Sequence, residues 1–434
     1  MSIISLQVCR DILYKYQNLI IVIGLLISFS GGSWDITFHI LSQPESFFSY
    51  PHTLVYTGIF IVISIFFINF RKNISNKNPT RKDNLLILLG AVLILAAGPI
   101  DFSWHLKFGL DGLLSPPHVT LLTGWLLVGL GNLRITNNLI NLTLKRIRSN
   151  KSNSVDRREL DYQNNDKNDD DLRTVNNTAD NPNRKELTLF RFQLFLNLSF
   201  ILMILSGFIY FFSLPFSETQ YYNYNPDPLI AFFVYSLGFP ILLSCFFIRI
   251  LKNYSEFDEM VLLVGSFYVI IMLLTQIISN SFLFEYSGYY LLNIIPFVVI
   301  YFLNKNQIKK GFTKINTLDP PSLSNDKAKK YTNAKLYIFY ALILSISSFT
   351  ICFPLNTYIL NEELYGYLLY QNLVPKVYVQ LFGDYFVIII SLSMIGGLLG
   401  LGMGMGMGTS VASKYNLVQF RQYFTEHRHG DGGK

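Results

Sequence analysis

The sequence predicts an all-α polytopic membrane protein of about ten transmembrane helices, its front four forming two parallel-repeat helical hairpins. Three observations lead there: long apolar runs in a charge-poor chain, basic residues gathered in alternate loops, and a front segment that repeats itself 66 residues later.

Of 434 residues, 51% are hydrophobic and only 15% charged, where soluble domains carry roughly 25% charged residues. Crossing a bilayer takes about 20 mostly apolar residues. Ten stretches qualify, at about 18–41, 51–70, 85–106, 117–136, 189–213, 228–250, 260–283, 286–303, 336–360 and 377–400. The first reads as a membrane helix rather than a cleaved leader, because a related segment recurs inside the chain at 85–106.

The formal charge of +7 does not indicate a nucleic-acid partner, since the Lys and Arg lie in short loops between apolar runs. The expected partner is the lipid bilayer. Arg71, Lys72, Lys77, Arg81 and Lys82 fill the second loop, and Lys305, Lys309, Lys310 and Lys314 lead the eighth. The positive-inside rule then predicts a plasma-membrane protein with both termini cytoplasmic and with 42–50 and 107–116 outside. Cys9, Cys245 and Cys352 are too few and too far apart for a disulfide framework or a thiolate metal site.

Residues 148–188 are rich in Asn and Asp and almost free of large apolar side chains. Such a composition cannot bury enough surface to fold alone, which predicts a disordered cytoplasmic linker. It divides a four-helix membrane region at 1–147 from a six-helix region with a cytoplasmic tail at 189–434.

The repeat carries the chemistry. The 66-residue shift places Gly32 on Gly98, Asp35 on Asp101, His39 on His105, His52 on His118, and Thr57-Gly58 on Thr123-Gly124. Asp and His four residues apart share a helix face. A second His, thirteen residues on, opens the next helix beside Pro51 or Pro117, where proline suits a helix start. An antiparallel partner returns that His to the depth of the Asp-His pair, gathering one carboxylate and two imidazoles, twice. Such groups near a bilayer are costly unless paired, hydrated or bound to a cation. Four of the chain's six His occupy these positions. Asp35, His39, His52, Asp101, His105 and His118 are therefore the candidate metal ligands, and the plainer alternative is hydrogen-bonded helix-end residues that tighten a hairpin. Carboxylate and imidazole donors suit copper, zinc or iron.

The segments WDITFHILSQPESFFSYPHTLVYTG and IDFSWHLKFGLDGLLSPPHVTLLTG resemble the metal-ligand segments in the copper-binding membrane subunit of the particulate methane and ammonia monooxygenase family. The resemblance covers about 31–126. It implies copper at Asp35, His39 and His52, and a second set at Asp101, His105 and His118. In that family the second set begins with Asn, so Asp101 is a departure that makes the site more anionic. Glu45 and Asp111, seven residues before the last His of each set, resemble an acid of the archaeal ammonia-oxidising members. The resemblance also implies partner membrane subunits. A homo-oligomer is the other assembly weighed.

Asp384, early in the tenth expected span, is a candidate to support the ligands from behind, as are Glu45 and Asp111, or is a hydrated helix-end acid. Gln276 and Asn280 are similarly ambiguous. Met403, Met405 and Met407 offer thioethers for cuprous ion, but Gly396, Gly400, Gly404 and Gly408 recur at the four-residue spacing of close helix packing. No phosphate-binding loop, serine-nucleophile elbow or HExxH motif is present. The leading expectation is a copper-binding membrane protein, and if it is an enzyme, one that oxidises a small molecule with oxygen. A copper receptor or transporter and a zinc-dependent intramembrane hydrolase are the rivals.

Overall fold

The structure is a computed structural model. It describes residues 3–40, 46–74, 81–109, 114–162, 182–213, 228–253, 259–279, 291–315, 325–347 and 384–406, with only the backbone described at some helix ends. All of its extended elements are helices: α1 (Ile3–Ile40), α2 (Tyr50–Ile74), α3 (Arg81–Phe108), α4 (Pro116–Tyr162), α5 (Pro182–Ser213), α6 (Pro228–Asn253), α7 (Met260–Ser279), α8 (Ile295–Ile315), α9 (Asn325–Ser347) and α10 (Phe386–Gly406). A single 3-10 turn, Leu291–Ile294, precedes α8.

Six helices are long and apolar enough to cross a bilayer: Lys15–Ile36, Tyr50–Ile68, Lys82–Phe108, Pro116–Ile147, Lys185–Phe212 and Phe386–Gly406. The chain is thus a multi-pass membrane protein, but the expected count of ten is corrected to six among the described residues. Within the described residues, the apolar stretches of α7, α8 and α9 cover Met260–Thr275, Leu291–Lys305 and Lys335–Ser347, short of the ~20 residues a crossing takes. The expected span 336–360 is described only as far as Ser347. The linker expected at 148–188 also carries helix at both ends, because α4 runs on to Tyr162 and α5 begins at Pro182. Lys, Arg and Glu are good helix formers and continue a helix without a core. Residues 163–181 lie outside the described residues.

The chain divides into two compact units, one built from Met1–Leu110, Ser115–Ile204 and Leu274–Ser281, the other from the remainder. In the first unit α1 packs along α2 and α3 along α4, with further contacts joining α2 to α3 and α1 to α4. Each hairpin closes at a glycine pair, Gly24 with Gly58 and Gly90 with Gly124. A Cβ on any of the four would come within 3.0 Å of the partner glycine's carbonyl oxygen. These pairs are related by the 66-residue shift, so the repeat extends deep into the helices.

The hairpins also interlock. A Cβ on Gly32 would strike the Trp125 ring, and one on the equivalent Gly98 would strike the Tyr56 hydroxyl. Each hairpin thus offers a glycine notch to a large aromatic of the other. Towards the opposite ends, buried amides tie α1, α4 and α5 together: Asn132 Nδ2 donates to the Asn18 carbonyl at 3.1 Å, Asn197 Nδ2 to the Gly129 carbonyl at 3.1 Å, and Gln193 Nε2 to the Lys15 carbonyl at 3.1 Å.

Helix α3 shows the bilayer logic on one element. Ile87, Ala91, Ile94 and Asp101 are buried, while the opposite face exposes Leu85, Leu89 and Val92. Apolar side chains on both faces, with the polar ones turned inward, are what lipid surroundings select.

In the second unit Gly396, Gly400 and Gly404 of α10 pass close to the carbonyls of Leu237, Ile241 and Cys245 on α6. Ser393 Oγ donates to the Ser345 carbonyl of α9 at 2.8 Å. The four-residue glycine pattern is a packing seam, and Met403 and Met405 sit on exposed faces away from it.

Candidate metal centre

The turn that opens α2 places its histidine. Ser49 is the residue before the helix, and its carbonyl accepts the first helical bond from Thr53 N at 2.9 Å. Ser115 does the same for Val119 N at 3.1 Å at the start of α4. His52 and His118 therefore sit in matching first turns, and both are buried.

The end of α3 places another. Gly109 has φ +73°, a left-handed conformation that suits glycine, and its N–H donates to the His105 carbonyl at 2.9 Å. This is the single-bond αL termination of a helix. The same glycine's carbonyl lies 3.1 Å from His105 Nδ1. In the first hairpin His52 Nδ1 lies 3.1 Å from the Ser46 carbonyl. A carbonyl only accepts, so Nδ1 carries the proton in both rings and Nε2 is turned inward.

The inward nitrogens face carboxylates. His52 Nε2 is 3.1 Å from Asp35 Oδ1. His118 Nε2 is 3.3 Å and His105 Nε2 is 3.4 Å from Asp101 Oδ1. The imidazoles of His52, His105 and His118 are only 6%, 6% and 7% exposed. Among the described residues, two groups have the composition and spacing for a metal ion, Asp101 with His105 and His118, and Asp35 with His52 and Asp101. Within each, the donor atoms lie within 4.8 Å of one another.

The spacing fits a coordination shell. Donors about 2.1 Å from a common ion and about 100° apart lie roughly 3.2 Å from each other. A neutral imidazole with its proton on Nδ1 otherwise presents a lone pair to a carboxylate oxygen, which is repulsive. A cation between them, or a second ring proton, resolves it.

Of the expected ligands, Asp35, His52, Asp101, His105 and His118 are brought together. His39 lies on α1, but its side chain is outside the described residues, as are Glu45 and Asp111. Asp384 is exposed at the start of α10 and belongs to neither group. Two separate clusters were expected, but Asp101 belongs to both. The glycine notches, where Trp125 meets Gly32 and Tyr56 meets Gly98, also lie between the two hairpins.

Sequence reasoning passed over Tyr56. It follows His52 by one helical turn, its hydroxyl is buried without a hydrogen-bond partner among the described residues, and it lies within electrostatic reach of both Asp35 and Asp101. Its ring sits 6.4 Å from that of His52. The signal was available, because the repeat puts Leu122 at the equivalent place.

Compared with protein-family models, with curated proteins and with solved structures, the chain matches none.

Proposed function

We propose that this multi-pass membrane protein holds copper at its Asp/His clusters, as a distant relative of the copper-binding membrane subunit of the methane and ammonia monooxygenases. The observation that carries the reading is the convergence of three buried Nε2 atoms on the oxygens of Asp35 and Asp101. Imidazole nitrogen with carboxylate oxygen is a donor set of copper, zinc and iron, and the resemblance of 31–126 selects copper. Copper with an open position supplies one-electron and oxygen chemistry, so the activity class proposed is oxidation of a small molecule with oxygen.

The chain's own part is structural. The Ser46 and Gly109 carbonyls fix the ring tautomers, the helix starts fix His52 and His118, and the surrounding apolar helices exclude water. The charge of the basic loops favours an orientation with these hairpin turns near the outer face of the membrane and both termini inside.

Elemental analysis of the protein purified in its membrane-embedded form tests the metal. Copper is expected to persist through dialysis against a weak chelator, and the paired variant His52→Ala with His118→Ala is expected to lose it. Zinc in its place would move the reading to hydrolysis. Unchanged metal content in the paired variant would leave these groups as staples of the hairpin turns and end the proposal. For orientation, Ser46→Cys and Gly112→Cys should react with an impermeant thiol reagent outside intact cells, and Leu160→Cys should not.

A further inference from the structure

We infer that the two motifs build one dinuclear metal centre, in which Asp101 is the carboxylate bridging two ions. The inference rests on the metal reading above and specifies its architecture. Among the described residues, Asp101 is common to both donor groups, Asp101-His105-His118 and Asp35-His52-Asp101, and every donor atom within a group lies within 4.8 Å of the others. A carboxylate has two oxygens and about four lone-pair sites, enough to serve an ion beside His105 and His118 and another beside Asp35 and His52. Ions bridged in this way lie about 3.5–4 Å apart.

Charge calls for at least one cation. Asp35 and Asp101 are 12% and 9% exposed at their side chains and belong to one donor group. Two carboxylates this close and this buried repel one another, and a bound cation relieves that. Three imidazoles add no charge, so one divalent ion neutralises the two aspartates and a second leaves a net positive charge; charge alone does not select two. Geometry does. His105 and His118 approach Asp101 Oδ1 from one hairpin, while Asp35 and His52 come from the other.

The bridge makes the two aspartates unequal, although the sequence repeat makes them equivalent. Loss of Asp35 removes a terminal donor from one ion. Loss of Asp101 removes a donor from both ions and the link between them.

The test is cupric loading of the full chain in nanodiscs, read by elemental analysis and by spin counting in electron paramagnetic resonance. Two copper ions per chain are expected, with a spin count well below the metal content or a half-field transition, because the bridge couples them. In Asp35→Asn, copper is expected to persist beside His105 and His118 as an uncoupled, fully countable signal. In Asp101→Asn, coupling should vanish and both ions should weaken. Circular dichroism confirms that each variant is folded, and Asp101→Glu, which keeps a bridging carboxylate, should retain coupling. Two ions with a full, uncoupled spin count in the parent protein would overturn the bridge and leave the metal reading standing. A single ion per chain would do the same. A parent that retains no copper would overturn both.

Discussion

In the first hairpin Asp35 meets His52 at 3.1 Å, and in the second Asp101 meets His118 at 3.3 Å, at positions related by the same 66-residue shift. Among the described side chains, which do not include His39, Asp101 also meets His105 and belongs to both donor groups, while Asp35 belongs to one. Beyond His52 stands Tyr56, and beyond His118 stands Leu122. At the far ends, Gln17 and Asn18 of the first hairpin match Asp83 and Asn84 of the second, but Asp83 is answered within its own hairpin by Asn138 at 3.4 Å. Asn18 is instead bonded from the other hairpin by Asn132. The duplicated parts include the glycine pair that closes each hairpin and the notch it offers the other. What fills each notch diverges, Trp125 in one and Tyr56 in the other.

The glycine pairs give the largest way to break this comparison. Gly58→Val and Gly124→Val each push a side chain into the partner helix backbone, and overpacking of this kind costs about 3 kcal/mol. Both variants should lose thermal stability in detergent by similar amounts. Gly402→Val, placed where nothing lies within 4 Å, should leave the melting temperature nearly unchanged. If one hairpin tolerates valine while the other does not, they are not equivalent scaffolds.

The aspartates sharpen it at the site. Outer partners of a metal ligand are worth about 10–100-fold in affinity, and a direct donor should reach the upper end. Asp101→Asn is expected to weaken total copper retention about 100-fold and to make the remaining copper easier to reduce, since a neutral amide stabilises the higher charge less. Asp35→Asn should have the same sign and a smaller size. Competition titration and a redox titration would show it, and equal effects would restore the symmetry of the sequence.

How much of this was legible depended on range. The hairpins, their common turn and the candidate residues could be read, because Asp-x3-His and the following Pro-His are local patterns whose spacing fixes a face and a helix start. The sharing of Asp101 was not legible. It is a relation between hairpins, like the contacts of Trp125 with Gly32 and of Tyr56 with Gly98. The glycines were visible as repeat positions, but the aromatic that fills each lies on a different helix.

A smaller effect is expected at the polar seam. Asn132 is fully buried and donates to the Asn18 carbonyl, while the equivalent residue in α2 is the buried Phe66. Asn132→Ala removes one hydrogen bond and some packing, about 1 kcal/mol. Phe66→Ala empties a large apolar volume, about 3 kcal/mol. Chemical or thermal unfolding of the two variants should rank them in that order. The reverse ranking would mean that the amide holds the hairpins together and that apolar packing there is secondary.

The smallest expected effect isolates what Tyr56 does. Its hydroxyl is buried without a hydrogen-bond partner among the described residues, a state that costs free energy. Tyr56→Phe keeps the ring against Gly98 and removes only that oxygen, so the metal-free protein should be unchanged in stability or slightly gain. With metal bound the sign should reverse. The hydroxyl lies within electrostatic reach of Asp35 and Asp101; if an ion brings a carboxylate oxygen to it, a hydrogen bond of about 1 kcal/mol corresponds to roughly 5-fold in affinity. The variant should therefore melt at or above the parent temperature without copper, and bind copper about 5-fold more weakly. Leu122→Phe, the matched change on the other hairpin, tests size without polarity and should leave the copper affinity nearer the parent's. If Tyr56→Phe binds copper as tightly as the parent, the tyrosine only fills its glycine notch, and the two hairpins differ at the site through Asp101 alone.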